Sequence, residues 1–260
     1  MNAKENIYEK AAELIEKSKK TIVLTGAGIS TESGIPDFRS PGTGLWEKMD
    51  PMEALSTRVL YNDPIKFYNN GFKILLSMKD AKPNKAHYIL AQLEQEGLIS
   101  GVITQNIDNL HQKAGSHKVF EVHGQTRTGS CINCGEVVSI DLLNSKVEKN
   151  EIPPKCDKCN GILRPDVVMF GDPMPVDFER AWREAESSDL MVVIGSSLTV
   201  SPVNFLPGLV KHLIIINKSE TPEDRRADVV IRESASEALS TILAYLKIAK
   251  NYRNFASKNF

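Results

Sequence analysis

The sequence predicts an α/β fold, in which a parallel sheet carries a smaller inserted domain. Short β-branched apolar segments alternate with amphipathic segments and brief turns along most of the 260-residue chain, a pattern typical of a parallel α/β sheet. Two stretches interrupt the alternation, and a glycine turn follows the first apolar segment. We therefore assign residues 1–35, 85–124 and 164–260 to the sheet domain, 36–84 to a helical module with a long Gly/Pro-rich loop, and 125–163 to a cysteine-bearing module.

Each element of the sheet domain has its own pattern. Ile7, Ala11, Leu14 and Ile15 share one face, which predicts a helix over residues 4–18 before the first strand. Helices are also predicted at 53–79, at 84–96 with its end at Gly97, at 181–187, after Ser197 and from Ser236, and strands at 21–25, 98–104, 119–122, 190–194, 213–216 and 228–231. The helix-compatible residues after Gly28 predict a helix that begins at the first glycine turn.

Composition excludes several classes of protein. A net charge of −1 gives no overall field that would attract nucleic acid or a membrane, and the apolar and charged fractions are ordinary for a globular chain. The sequence lacks an apolar run long enough for a membrane span, and its first 20 residues are charged throughout, unlike a secretory signal. We therefore expect a cytoplasmic protein with no membrane partner and no direct nucleic-acid binding.

All four cysteines lie in one short window, as Cys131-x2-Cys134-x21-Cys156-x2-Cys159. Each C-x-x-C places two thiolates on one tight turn, and two such turns form a tetrahedral sulfur site for Zn²⁺. Four thiolates fill the coordination of the metal and leave no position for a reacting water, so this zinc is predicted to be structural. Redox-active or disulfide-bonded cysteines are the alternative.

A glycine turn, Gly26-Ala27-Gly28, directly follows the first apolar strand. The first N–H groups of a helix are unpaired and attract anions, and glycine lets the backbone approach a phosphate closely. The turn therefore predicts a dinucleotide site. The G-x-G-x-x-G fingerprint is incomplete, because Thr31 occupies the third glycine position. An ordinary strand-to-helix turn is the alternative interpretation.

Two polar motifs lie at the predicted carboxyl ends of strands, where open α/β sheets bind ligands. The first is Thr104-Gln105-Asn106-Ile107-Asp108, and the second is His123-Gly124. A histidine at such a position suits a general base near neutral pH. The alternatives are a helix N-cap formed by Asp108 or Asn106, and a structural role for His123. His111, in contrast, is predicted to be a helix-surface or packing residue.

Together these motifs resemble the sirtuin family of NAD-dependent protein deacylases, over residues 20–246. The resemblance rests on GAGIS at 26–30, GIPDFR at 34–39, TQNID at 104–108, HG at 123–124, the four cysteines, RPDVVMFG at 164–171, GSSL at 195–198 and Ile216-Asn217. The sequence departs from the family pattern at Asn109, where glycine is common, at Asp172, where glutamate is usual, and at Ser201, where tyrosine is frequent. Only Asp172 bears on peptide selectivity.

The resemblance implies a Rossmann-type domain with a small domain made of the zinc module and the helical module, whose loop contacts the cofactor. It also implies a reaction. The oxygen of an acyl-lysine displaces nicotinamide from the ribose of NAD, His123 acts as base on a ribose hydroxyl, and the acyl group moves to the ribose. The products are the deacylated lysine of a protein or peptide, nicotinamide and O-acyl-ADP-ribose.

The resemblance further implies which residues form the site. His123 and Asn106 are the catalytic residues, Phe38 covers the reacting carbon, and Asp108 accepts a hydrogen bond from the nicotinamide amide. The cofactor-binding residues are Gly26, Ala27, Gly28, Thr31, Asp37, Phe38, Arg39, Gln105, Asn106, Ile107, Asp108, His123, Gly195, Ser196, Ser197, Asn217 and Ala235. The substrate-binding residues are Val167, Val168, Phe170, Gly171 and Val200. A buried core strand is the alternative interpretation of Val167, Val168 and Phe170.

Family members that favour succinyl groups carry a Tyr and an Arg in the loop after the GIPDFR-like motif. Here that loop, residues 44–49, reads GLWEKM and has neither. We therefore predict deacetylation, with longer aliphatic acyl groups as further substrates, over desuccinylation. Three alternative functions are an NAD-linked dehydrogenase, disfavoured by the incomplete fingerprint, a non-catalytic NAD-binding zinc protein, and a protein mono-ADP-ribosyltransferase.

Overall fold

The computed structural model of the protein describes residues 3–37 and 50–259. Its strands are β1 (Thr21–Thr25), β2 (Val102–Thr104), β3 (Val119–Glu121), β4 (Gly124–Cys131), β5 (Val137–Ser139), β6 (Leu163–Val167), β7 (Leu190–Ile194), β8 (His212–Ile216) and β9 (Val229–Ile231). Its α-helices are α1 (Ala3–Lys17), α2 (Pro51–Ala54), α3 (Thr57–Asn62), α4 (Pro64–Lys66), α5 (Phe72–Ser77), α6 (Lys85–Gln95), α7 (Leu110–Lys113), α8 (Ile140–Glu148), α9 (Val176–Glu186) and α10 (Ala235–Asn259).

Six strands form a parallel sheet in the order β3-β2-β1-β7-β8-β9, which confirms the predicted fold class. The register pairs Val23 of β1 with Val102 of β2 on one side and with Val192 of β7 on the other. Strands β2 and β3 follow β1 on one side of the sheet, and strands β8 and β9 follow β7 on the other. In such sheets ligands bind outside the carboxyl ends of the strands where the order reverses, here between β1 and β7.

Both faces of this sheet are covered, which explains why its strands are continuous apolar runs. Val23 points into a core shared with α1, α6 and α10. Its neighbours Ile22 and Leu24 point into the opposite core, which α9 and a 3-10 helix at Val203–Leu209 complete. In the described part of the chain, no helix combines the length and apolar character that a membrane span requires.

The two interrupting segments share one core. Strands β5, β4 and β6 form an antiparallel sheet in the cysteine-bearing segment. Its buried side chains, such as Leu143 and Leu163, pack in the same cluster as Phe67, Tyr68 and Phe72 of the helical segment. The Tyr68 hydroxyl donates a hydrogen bond of 2.6 Å to the Leu163 carbonyl, which ties the two segments together. The exact residue limits of the domains stay a prediction.

Several of the predicted helices differ from the structure. After β1 the chain forms two short 3-10 turns, Ala27–Ile29 and Thr31–Ser33, and the second ends at Gly34 with φ of +83°. The element after Ser197 is the 3-10 helix, and α9 begins five residues before the predicted start at Ala181.

Residues 53–79 are helical as predicted, but they form several short helices, because Ser56 and Asp63 each accept a hydrogen bond as the N-cap of a helix. Apolar spacing continues through such breaks, so periodicity alone does not reveal them.

Candidate active site

The glycine turns after β1 and β7 touch each other at the point where the strand order reverses. The Gly26 amide donates to the Ile194 carbonyl at 3.0 Å, and the Gly28 amide donates to the Gly195 carbonyl at 2.9 Å. A Cβ on Gly28 would lie 2.7 Å from the Gly195 Cα, closer than side chains approach. Glycine is therefore required here by the contact between the two turns as well as by any phosphate.

We expect Gly28→Ala to lower both the free energy of unfolding and the affinity for NAD. The added methyl group forces the two turns apart, and overpacking of this kind costs about 1–3 kcal/mol. Urea unfolding and calorimetric titration with NAD measure the two effects. Gly208→Ala is the matched control, because a Cβ there has no neighbour within 4 Å. Equal behaviour of the two variants would contradict the contact.

A cavity of about 560 Å³ opens above these turns, bounded on its other side by the small domain. Most of the predicted site residues line it together. They are Gly26, Ala27, Gly28, Asp37, Gln105, Asn106, Ile107, Asp108, His123, Val167, Val168, Phe170, Gly171, Gly195, Ser196, Ser197, Val200 and Asn217. Asp172 and Ser201, at which the sequence departs from the family pattern, also line it, and the lining residues without a predicted role are Ser30, Ile35, Leu55, Met78, Met169, Met174 and Ser219.

A second cavity of about 410 Å³ shares Gly28, Asp37, Gly195, Asn217 and Ser219 with the first. It adds two predicted residues, Thr31 and Ala235. It also contains charged residues that the sequence did not indicate, namely Glu32, Lys218 and Glu233. Two predicted site residues, Phe38 and Arg39, lie outside the described residues, as does the loop at 44–49.

Asn106 is fixed by three hydrogen bonds after β2. Its side-chain amide donates to the Gly26 carbonyl and to the Ser30 hydroxyl, both at 3.1 Å, and its backbone N–H donates to Thr104 Oγ1 at 3.1 Å. The Ser30 hydroxyl in turn donates to Asp108 Oδ2 at 2.7 Å. Ser30 thus joins Asn106 to Asp108, a role that only its place in GAGIS could have suggested.

Asp108 is buried and lines the cavity. Burial raises the pKa of its carboxyl, although hydrogen bonds from the Leu110 N–H and the Ser30 hydroxyl oppose this effect. Its Oδ1 accepts from the Leu110 amide at 2.9 Å, but Asn109 occupies the N-cap position of α7, so the alternative of an N-cap at Asp108 or Asn106 is wrong. The next residue, Asn109, has φ of 63°, a conformation that glycine and asparagine adopt most readily.

His123 lies just beyond β3 and lines the same cavity. Its Nδ1 is 3.0 Å from the Gln105 carbonyl oxygen. A carbonyl can only accept, so Nδ1 carries the hydrogen and the lone pair of the neutral ring is on Nε2. The Gln105 side chain is held as well, because its amide donates to Ser196 Oγ at 2.8 Å. The ring is thus oriented in the tautomer that a base acting through Nε2 requires.

The predicted substrate-binding residues 167–171 become more exposed along the segment. Val167 ends β6 and is buried, so the core-strand interpretation is correct for this residue. Phe170 is 39% exposed and pairs with the helical module, since its amide donates to the Leu55 carbonyl at 3.0 Å. Between them, the Val168 amide donates to the His123 carbonyl at 2.9 Å, which places this segment beside the histidine.

Asp172 closes the turn that follows this segment. Arg164 Nη1 donates to Asp172 Oδ1 at 2.9 Å, and the Met169 amide donates to Oδ2 at 2.9 Å. Burial raises the pKa of Asp172, but the bonds from Arg164 and Met169 outweigh it and lower the pKa overall. This carboxylate is therefore ionised and paired at the edge of the cavity.

The four cysteine sulfurs converge to within 4.8 Å of one another. Cys131 Sγ is 3.5 Å from Cys159 Sγ, and Cys134 Sγ is 3.8 Å from Cys156 Sγ. These separations are too long for disulfides and close to the edge of about 3.8 Å of a tetrahedron with Zn–S bonds of about 2.3 Å. The cluster could therefore hold a structural zinc ion, as the sequence predicted.

Two buried histidines, His87 and His111, lie beneath the site with their ring centroids 4.9 Å apart. Burial lowers the pKa of His87 to about 4 and that of His111 to about 3. His111 is thus a packing residue, one of the two roles predicted for it. Unfolded histidine has a pKa near 6.5, so below that pH the unfolded chain binds more protons than the folded chain.

We therefore expect the free energy of unfolding to fall as the pH decreases from about 6.5 toward 4. For His87 alone the loss is on the order of 3 kcal/mol once the pH is below its folded pKa. The double variant His87→Gln/His111→Gln removes both titrations, and a glutamine side chain at the first position can still accept from the Asn84 backbone amide as His87 does. Urea unfolding across this pH range should give a flatter dependence for the variant, and an unchanged slope would refute the assignment.

Comparisons with known proteins agree with one another. The family model described as "Sir2 family" matches residues 26–202. The chain is 69% identical over 242 residues to "NAD-dependent protein deacetylase 2" of Caldanaerobacter subterraneus subsp. tengcongensis, covering 93% of this chain and 97% of the relative. It is 50% identical over 243 residues to "NAD-dependent protein deacetylase" of Saccharolobus solfataricus, covering 91% and 96%.

A solved structure described as "Sir2-p53 peptide-NAD+" superposes with a TM-score of 0.83 at 38% identity, covering 92% of this chain and 98% of the other. A second one, "Sir2 bound to acetylated peptide", gives 0.83 at 36% identity, covering 94% and 98%. The family model spans more than half of the chain, and these relatives match it almost end to end. The chain therefore belongs to the Sir2 family, the sirtuins.

Proposed function

We propose that the protein is an NAD-dependent protein lysine deacetylase that transfers the acetyl group of acetyl-lysine to ADP-ribose and releases nicotinamide. The observation that carries the proposal is the meeting of His123, Asn106, Asp108 and the two glycine turns in one cavity at the reversal of strand order. A dinucleotide fits that place in the fold, and the histidine beside it supplies a base.

NAD, when bound, supplies the ADP-ribosyl group that accepts the acetyl group, with nicotinamide as the leaving group. The N–H groups of the turn at Gly26–Gly28 would hold its pyrophosphate, since glycine lets the backbone come close. Ser196, Ser197, Asn217 and Ala235 would hold the adenosine half, and two of these residues, Asn217 and Ala235, line the smaller cavity. Thr31 and Asp37 line that cavity as well.

The segment Gln105–Asp108 would form the nicotinamide end of the site. The network through Ser30 holds the Asn106 amide and the Asp108 carboxylate at fixed positions, as a site that must orient a leaving group requires. Ile107 would supply an apolar wall. Phe38 would cover the reacting carbon, and Arg39 would bind a phosphate.

His123 would take the proton from a ribose hydroxyl through Nε2. The Gln105 carbonyl holds the hydrogen of Nδ1, so the ring stays in the correct tautomer before the reaction and is stabilised as the imidazolium after it. A positioned base of this kind contributes roughly a hundred- to ten-thousandfold to the rate.

The acetyl-lysine would enter between the domains, with its peptide backbone added as a strand alongside residues 171–172 and 199–201. Phe170 already pairs with the 55–57 segment through a parallel bridge at Ser56, so one edge of the 167–171 segment is held. Val168 would present its carbonyl to the lysine N–H. The acetylated peptide bound to the similar Sir2 structure supports this substrate class.

An acetyl-lysine peptide incubated with the protein tests this function directly. We expect deacetylated peptide and nicotinamide in equal amounts, and neither product without NAD. Deacetylation without NAD would refute the proposal. ADP-ribose attached to protein, with the acetyl group retained, would favour the alternative of mono-ADP-ribosylation.

We expect an acetyl-lysine peptide to be a better substrate than a succinyl-lysine peptide by at least about tenfold in kcat/KM, because an unpaired carboxylate is costly to bury. Apolar side chains line much of the cavity, among them Ile35, Leu55, Met78, Ile107, Val167 and Met169. A butyryl peptide is the matched control, as it has the length of succinyl without the charge. Comparable turnover of acetyl and succinyl peptides would contradict this preference.

A further inference from the structure

His111 is connected to the candidate active site by a chain of buried hydrogen bonds. It lies in α7, three residues after Asp108, and only 1% of its surface is exposed. Its Nε2 is 2.9 Å from Thr25 Oγ1, and Thr25 Oγ1 is 2.9 Å from Thr104 Oγ1. Thr104 Oγ1 also accepts the backbone N–H of Asn106 at 3.1 Å. A packing role alone does not require such a chain.

The direction of each bond in the chain follows from its partners. The Thr25 hydroxyl donates its hydrogen to Thr104, so its oxygen must accept from His111. The histidine is therefore the donor through Nε2–H, and Nδ1 carries the lone pair. Since every group is buried, the low local dielectric strengthens these bonds and makes a missing partner costly.

A second histidine holds this ring in place. His87 Nδ1 lies 3.3 Å from the Asn84 backbone nitrogen and 3.1 Å from Asn84 Oδ1, so Asn84 holds the His87 ring. Asn84 also donates through its side chain to the Ile29 carbonyl at 2.7 Å, in the turn that follows β1. Within the described part of the chain, His87 Nε2 and His111 Nδ1 have no hydrogen-bond partner. The packing of the two rings thus defines the orientation of His111.

We infer that His111 is a positioning residue for the proposed deacetylation: through Thr25 and Thr104 it fixes the Asn106 backbone and so the direction of the Asn106 side chain. Ser30 and the Gly26 carbonyl hold that side chain from above, while the chain from His111 holds its backbone from below. Asn106 is therefore held on both sides, and removal of either support should misplace the residue. This inference rests on the proposed function.

Three substitutions of His111 separate this role from packing. Gln can place an N–H where Nε2 lies, Asn is too short to do so, and Leu fills the space without a donor. We expect His111→Gln to keep kcat/KM for NAD within about threefold of the native value, and His111→Asn and His111→Leu to lose at least about tenfold, since small misplacements near the chemistry are costly. The loss should be in kcat more than in the KM for peptide.

Thr25→Val should reproduce the loss by removing the middle hydroxyl, and the double variant Thr25→Val/His111→Leu should lose little more than either single variant. Leu239→Ala controls for lost stability, because Leu239 lies in the core that contains α1 and is not part of the hydrogen bonds from His111 to Asn106. Hydrogen exchange of the Asn106 amide should be faster in His111→Leu and native-like in His111→Gln.

Additive losses in the double variant, or equal activity of the Gln and Leu variants, would overturn the inference. So would a loss that follows melting temperature across all variants, including Leu239→Ala. A native protein that fails to release nicotinamide with acetyl-lysine peptide would overturn the proposed function itself, and the inference with it. The activity of the native protein is therefore measured first, because it distinguishes failure of the proposed function from failure of the inference about His111.

Discussion

Replacing His123 with alanine is expected to reduce deacetylation by roughly a hundred- to ten-thousandfold while the fold and NAD binding persist. The ring lines the cavity beyond β3, where the Gln105 carbonyl accepts a hydrogen bond from Nδ1 at 3.0 Å and so orients the imidazole. Its loss therefore removes a base without breaking a packing cluster. Steady-state rates with acetyl-lysine peptide, together with calorimetric NAD titration, measure both quantities.

His117→Ala is the matched control for this variant, because that histidine is exposed at the start of the segment that leads into β3. It should leave the rate unchanged. A His123→Ala protein with native turnover would remove the proposed base. A variant that also loses the melting transition would instead indicate a structural role for His123, the alternative that the sequence left open.

Loss of the metal is expected to unfold the small domain. Structural Zn²⁺ contributes free energy of folding directly, so chelation or Cys131→Ala should remove several kcal/mol of stability. Cys131 and Cys156 are themselves buried in the core that also contains Tyr68 and Phe72. The loss should therefore reach helices α3–α5, and hydrogen exchange in both inserted segments would report it.

Asn133→Ala is the matched control for the metal site, since Asn133 lies exposed between Cys131 and Cys134 and provides no thiolate. It should keep one zinc per chain in metal analysis and native stability. A metal-free protein as stable and active as the native protein would contradict a structural zinc. It would instead favour the alternative in which the four cysteines are redox-active or form disulfides.

The features that could be predicted from the sequence are those encoded locally. β-Branched runs identified the strands of the parallel sheet, and their polar ends identified Asn106, Asp108 and His123. The spacing of the cysteines identified their cluster. In each case a few neighbouring residues carry the whole signal, because a strand end or a C-x-x-C turn is formed by adjacent residues.

The features that were missed depend on distant contacts. The Gly28–Gly195 contact joins turns from opposite halves of the sheet, and no local pattern encodes how closely they approach. At this contact the chain forms short 3-10 turns in place of the predicted helix. Ser30 and the chain from His111 through Thr25 are likewise visible only once β1 and β2 lie side by side.

The most direct test of the central claim follows the acetyl group itself. A peptide with an isotope-labelled acetyl group on lysine is incubated with the protein and NAD, and the products are separated by mass spectrometry. We predict that the label appears in O-acetyl-ADP-ribose, in an amount equal to the nicotinamide released. Two results would contradict transfer of the acetyl group to ADP-ribose. In the first, the label appears only as free acetate, even in the first turnovers. In the second, the label stays on the peptide while NAD is consumed.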